Sequence, residues 1–257
     1  MIEEHPATHP ADHRAYRIEI VLVFAVTLGL SGLRSLVRLV DSLLQTTPLN
    51  QQSVAVNAPQ ARFGLLDLVA QLLYFGQLAA WGGLGLYLLW RGGTKLKVLG
   101  LDRTRIGPDA LGSLGLAAVI GIPGLVLYFA AWKLGLNLAV QPSTLDDSWW
   151  MSGALVLSAF GNAWAEEVLV VGFLITRLKQ LGWRDGTALL ASSVLRGSYH
   201  LYQGFGGFVG NVVMGLVFGR VWQRTNRLWV LILAHTLLDV VAFLGYTLLR
   251  GKVSWLP

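Results

Sequence analysis

The chain has 257 residues, 54% of them hydrophobic and only 13% charged, with ten Trp and no cysteine. That composition excludes an ordinary soluble domain, and the lack of cysteine excludes a disulfide framework, a thiol nucleophile and a Cys-ligated metal. The net charge of +6 does not signal nucleic acid, because the Lys and Arg residues gather in connections between apolar runs, where membrane topology and anionic lipid account for them.

Taken in chain order, residues 1–17 read as a polar tail without the apolar h-region of a cleavable signal peptide. Runs long enough to cross about 30 Å of hydrocarbon as helices follow at 18–40, 63–90, 109–132, 149–176, 186–203, 206–222 and 228–249. The expected fold is therefore all-α, a polytopic transmembrane bundle of about seven helices. It divides into the tail, a set of N-terminal helices and loops over 18–148, a core over 149–249 and a short tail over 250–257. The fifth and sixth runs are interrupted by Arg196, His200 and a Gly-rich break at Gly204, Gly206 and Gly207, which also allows a re-entrant pair. Residues 45–62, rich in Pro, Asn and Gln, read as an external loop.

Charge orients the bundle. Arg91, Lys95, Lys97, Arg103 and Arg105 crowd one connection, Arg177, Lys179 and Arg184 a second, and Arg220, Arg224 and Arg227 a third, whereas the alternate connections carry mainly Lys133, Asp146 and Asp147. The positive-inside rule makes the basic connections and the amino-terminal tail cytoplasmic, in a multi-pass protein of the cell (plasma) membrane. Arg34 and Arg38 oppose the rule. They share one helix face, so either they snorkel outward or the crossing ends early and an interfacial helix follows. The pairs Gly206 with Gly210 and Gly215 with Gly219 stand four residues apart and suit close helix packing.

Three polar islands break the apolar helices of the second half: Glu166 with Glu167, Arg196 with His200, and His235 with Asp239. A carboxylate near the centre of a membrane helix costs about 2.5–3.5 kcal/mol, so intramembrane charges face the bundle interior and pair with one another. Arg196 and His200 are four apart, as are His235 and Asp239, so each pair projects from one face of its helix. One buried pocket walled by three or four helices results. It holds what peptide hydrolysis needs: a Glu to take a proton from water, a His to hold that water, and a second His, oriented by Asp239, to stabilise the oxyanion. A divalent metal is the rival chemistry, but the chain has no His-Glu-x-x-His pair.

Glu-Glu followed by Gly-Phe-Leu, then Tyr-His-Leu-Tyr-Gln-Gly, then Leu-Ala-His-Thr-Leu-Leu-Asp resemble the three motifs of the CAAX protease and bacteriocin-processing (CPBP, or Abi) family of membrane-embedded glutamate proteases. The resemblance covers about residues 149–245. It implies an intramembrane endopeptidase in which Glu166 activates water with His200, Glu167 supports the site, and His235 with Asp239 stabilises the oxyanion. It implies no cofactor and no metal, and as partners a membrane protein or peptide substrate within a lipid bilayer. Two positions depart from the family pattern: Val171 stands where Arg is expected, and Arg196 where Phe is expected. Arg196 is then the supporting cation, supplied to Glu167 from the neighbouring helix. Two other readings remain: a proton-coupled transporter, because buried carboxylates and histidines also relay protons, and a catalytically silent immunity or scaffold protein of the same fold.

Overall fold

The computed structural model describes residues 10–145 and 147–253; Asp146, residues 1–9 of the expected tail and residues 254–257 of the other tail lie outside the described residues. Helix α1 (Pro10–Val26) begins inside the stretch expected to be a polar tail, because proline is well tolerated in the first turn of a helix. The chain bends by 48° before α2 (Leu28–Leu44). At the bend the Thr27 hydroxyl donates to the Val23 carbonyl at 2.7 Å. Helix α2 is strongly amphipathic: Arg34, Arg38, Asp41 and Ser42 share one face, Leu33, Val37 and Val40 expose apolar surface on another, and Ser35 and Leu39 are buried on a third. Of the two readings of Arg34 and Arg38, an amphipathic helix after an early break fits this geometry.

The long helices are α3 (Gly64–Arg91), α4 (Ile106–Lys133), α5 (Met151–Glu166) continued by a π-helical segment (Glu167–Ile175) and α6 (Thr176–Gln180), then α7 (Asp185–Ser198), α8 (Phe205–Thr225) and α9 (Leu228–Leu249). Among the described residues five spans are long and apolar enough to cross a membrane, with a sixth if α1 and α2 are counted as one bent span. The chain is an all-α multi-pass integral membrane protein. The expected crossing at 186–203 is shorter than its composition suggests. Helix α7 has 14 residues, about 21 Å at 1.5 Å per residue, and stops inside the bundle.

Local geometry explains that stop. After α7 the chain makes a single 3₁₀ turn (Leu201–Gln203) and reaches Gly204 at φ 110°, a conformation that favours glycine. A Cβ there would meet the Leu136 carbonyl oxygen at 2.5 Å. Asn137, from the α4–α5 connection, accepts hydrogen bonds from the Gly206 and Gly207 N–H groups at 2.8 and 3.2 Å. It thereby satisfies donors that the first turn of α8 leaves free.

The bundle has two distinct ends. At one, the basic connections are locked by buried charge: Arg177 donates to Glu19 at 2.9 Å and to the Leu88 carbonyl at 2.6 Å, and Arg227 pairs with both Asp102 and Asp109. At the other, strands β1 (Ser53–Asn57) and β2 (Ala139–Ser143) pair in parallel, Ser53 opposite Ala139 and Asn57 opposite Ser143. The segment expected to be a plain loop thus contributes a strand. Its register is pinned by Ser158, whose hydroxyl donates to Asn57 at 2.8 Å. These are the basic and the strand-bearing ends of the bundle.

Small residues let the helices close in. A Cβ on Gly82 would lie 2.2 Å from the Trp164 indole nitrogen, and one on Gly85 2.8 Å from Leu169, so α3 rides directly on α5 and the π segment. Gly206 and Gly210 face Ala131 and Leu127 of α4, while Gly215 and Gly219 face Ser193 and Leu189 of α7. Both four-residue glycine pairs serve packing within the chain.

Candidate active site

Glu166 is the last residue of α5 and Glu167 the first of the π segment. Segments of π-helix are rare and frequent at functional sites. Both carboxylates point into the bundle, where α7 supplies Arg196, the following turn His200, and α9 His235 and Asp239. The structure brings all six side chains anticipated from sequence into one connected cluster.

Glu167 and Arg196 form its centre, each with no exposed side-chain surface. Arg196 Nη2 lies 2.8 Å from Glu167 Oε1, and Nη1 lies 3.6 Å from Glu166 Oε2. The guanidinium also sits 5.8 Å from the Phe218 ring centroid, close enough for a cation–π contact. Val171, where the family pattern carries its cation, is instead fully buried in the apolar core.

His235 differs from its anticipated arrangement in one respect. Its Nδ1–H donates to Glu167 Oε1 at 2.7 Å, while Nε2 stands 3.8 Å from Asp239 Oδ1. The short bond therefore runs to the neighbouring helix, and Asp239 is held at ion-pair rather than hydrogen-bond distance. His200 Nε2 lies 3.9 Å from Glu166 Oε2. That nitrogen has no hydrogen-bond partner within the protein, and neither does Glu167 Oε2. Unused capacity of this kind, buried among charges, is what a bound ligand or water can satisfy.

The sequence leaves Tyr199 between two readings, a residue lining the mouth of the pocket and a member of an aromatic belt. It is 5% exposed, and its hydroxyl donates to Glu166 Oε2 at 2.7 Å. A buried phenol needs a partner, and its position directly before His200 was the available signal. Tyr202 and Gln203 continue the lining: Gln203 Nε2 donates to the Tyr202 hydroxyl at 3.0 Å and lies 3.5 Å from His200 Nδ1. Among the described residues no group of three His, Asp or Glu side chains is arranged to hold a metal ion.

Residues 148–241 match the family model of the type II CAAX prenyl endopeptidases, Rce1-like. That segment coincides with the one over which the three motifs resemble the CPBP family, and it contains all six clustered side chains. No curated protein and no solved structure gives a match.

Proposed function

Proceeding from an Rce1-like segment at residues 148–241, we propose that the chain is an intramembrane endopeptidase in which Glu166 activates water. The carrying observation is Glu166 itself: held through Oε2 by the Tyr199 hydroxyl, and 3.9 Å from a His200 nitrogen with no protein partner. A gap of that length suits one bridging water better than a direct bond. In the proposed reaction Glu166 takes a proton from this water as its oxygen attacks the scissile carbonyl carbon. The tetrahedral oxyanion is stabilised by the Nε2–H of a doubly protonated His235, whose Nδ1–H is committed to Glu167 and whose Nε2 faces Asp239 without a short bond. Collapse breaks the C–N bond as Glu166 returns the proton to the leaving amine. Glu167 and Arg196 hold the walls of the pocket. No metal takes part, and the basic end with the amino-terminal tail lies in the cytoplasm of the cell membrane.

The test compares peptide termini among membrane and secreted proteins in cells making equal amounts of the wild type and of Glu166→Gln. Termini present with the wild type and absent with the variant are expected, and cleavage by purified protein should persist in a strong chelator. Identical catalogues would sink the peptidase reading and favour the silent scaffold or the proton-coupled transporter.

A further inference from the structure

Helix α2 carries three charges that the rest of the protein leaves unanswered. Arg34, Arg38 and Asp41 follow one another at intervals of four and three residues, so they share one strip of the helix. All three are exposed, and among the described residues none of them forms an ion pair or a hydrogen bond. The strip immediately beside them, Leu33, Val37 and Val40, presents apolar surface. Buried arginines of the same chain are all answered from within it: Arg177 by Glu19, Arg196 by Glu167, and Arg227 by Asp102 and Asp109. Charges beside lipid-facing side chains need partners too, and long arginine side chains reach for the headgroup layer to find them.

A hollow lies at the same place. Arg38 and Asp41 are among the residues bounding a polar groove of about 460 Å³ between α2 and β1, with Ser42, Gln45, Gln52 and Ser53 also on its walls. Gln52 holds its shape, donating from Nε2 to the Ser42 carbonyl at 2.9 Å and to the Thr47 carbonyl at 2.7 Å. Helix α2 turns 48° away from α1 and runs on to the strand-bearing end, which places the groove at the membrane surface with the apolar strip leading back from it.

The charges select the ligand. Two guanidinium groups one helical turn apart suit a phosphodiester, which offers an oxygen to each. Asp41, one turn further on, repels a purely anionic headgroup but suits a cation that has N–H groups to donate and is joined to the phosphate by a short linker. An ethanolamine phospholipid carries its charges in that order, and its acyl chains match the apolar strip. A choline headgroup has the cation but no N–H, and a glycerol headgroup has no cation.

We propose that α2 and the groove beside β1 hold a phosphatidylethanolamine molecule, its phosphate on Arg34 and Arg38, its ammonium on Asp41 and its chains along Leu33, Val37 and Val40. The site is separate from the Glu166 cluster and does not depend on what that cluster catalyses.

The test is the thermal midpoint of the purified full chain in detergent micelles carrying phosphatidylethanolamine, phosphatidylcholine or phosphatidylglycerol, at equal content and with identical acyl chains. The ethanolamine lipid should raise the midpoint by about 3 °C over either of the others. That advantage should vanish in Arg38→Gln and in Asp41→Asn. Each variant is compared with itself across the three lipids, so a change in its own stability does not enter. The advantage should persist when Arg220→Gln and Arg224→Gln are combined, since these exposed arginines have the same four-residue spacing at the basic end. Equal midpoints in the three lipids for the wild type, an advantage that survives either substitution in α2, or one that disappears equally in the basic-end pair would overturn the proposal, as would a shift of the same size from soluble phosphoethanolamine.

Discussion

Glu166 and Glu167 are neighbours in sequence, yet they occupy different physical worlds. Glu167 belongs to an inner group with Arg196 and His235 in which both glutamate and arginine are wholly enclosed and the shortest contacts are 2.7 and 2.8 Å. Glu166 belongs to an outer group with Tyr199 and His200, in which the Tyr199 hydroxyl lies at 2.7 Å but His200 stands off at 3.9 Å and the carboxylate is partly exposed. Enclosure and short contacts make a strut, since removing one member of a buried ion pair strands its partner. Partial exposure and a fixed carboxylate facing a His200 nitrogen across 3.9 Å make a place for chemistry. The difference teaches that the doubled carboxylate is a division of labour rather than redundancy.

Substitutions can break that contrast in graded steps. Glu166→Gln should lower the rate of peptide cleavage about 10²–10⁴-fold, as expected for loss of a general base, while the thermal midpoint in detergent moves by only a few degrees. A large loss of fold with residual activity would reverse the assignment of the two glutamates. Arg196→Phe should destabilise the protein by about 3–5 kcal/mol because it strands Glu167, read as a fall in the denaturation midpoint. Val171→Arg added to it should recover more than half of that loss, and no recovery would show that the two cation positions are not equivalent. Tyr199→Phe removes a charge-assisted bond and should cost about 1.5–3 kcal/mol of stability, and cleavage should slow about tenfold or more. Smallest of all, Ser35→Ala deletes a 2.8 Å bond to the Tyr199 carbonyl and should cost about 1 kcal/mol. If it instead unfolds the chain, α2 matters more to the outer group than its single bond implies.

Much of this molecule is legible in its sequence, and for stated reasons. Apolar runs about 20 residues long reveal the spans because the bilayer sets their length, and charges within such runs reveal the site because burying them is costly. Other features are decided by contacts between distant segments. Helix α7 ends where it does because Gly204 and Asn137 shape the next turn, although the apolar composition runs on past Ser198. The strand pair depends on two connections meeting. His235 shows the limit of periodicity: spacing nominates Asp239, four residues away on the same helix, but the ring turns to Glu167 on another. Arg196 is legible as a partner for Glu167 because a lone arginine in an apolar run needs an anion; Tyr199 is legible only as one of two alternatives, because a tyrosine near a membrane interface needs no buried partner.

The π segment carries a consequence for how the chain tolerates changes in length. Each of its turns holds more residues than an α turn, so losing one residue between Glu167 and Ile175 would let the backbone rewind as ordinary helix with its ladder of bonds intact. The segment would lose one residue's step while each remaining residue gained twist, so everything beyond would settle at a different angle about the helix axis. Arg177 would swing away from Glu19 and Leu88, and the clamp on the first helix would open although no charged group had been removed. The same deletion in a terminal loop would be absorbed. A thermal melt of the two deletion variants distinguishes them, and equal midpoints would show that the angular phase set by this segment does not matter.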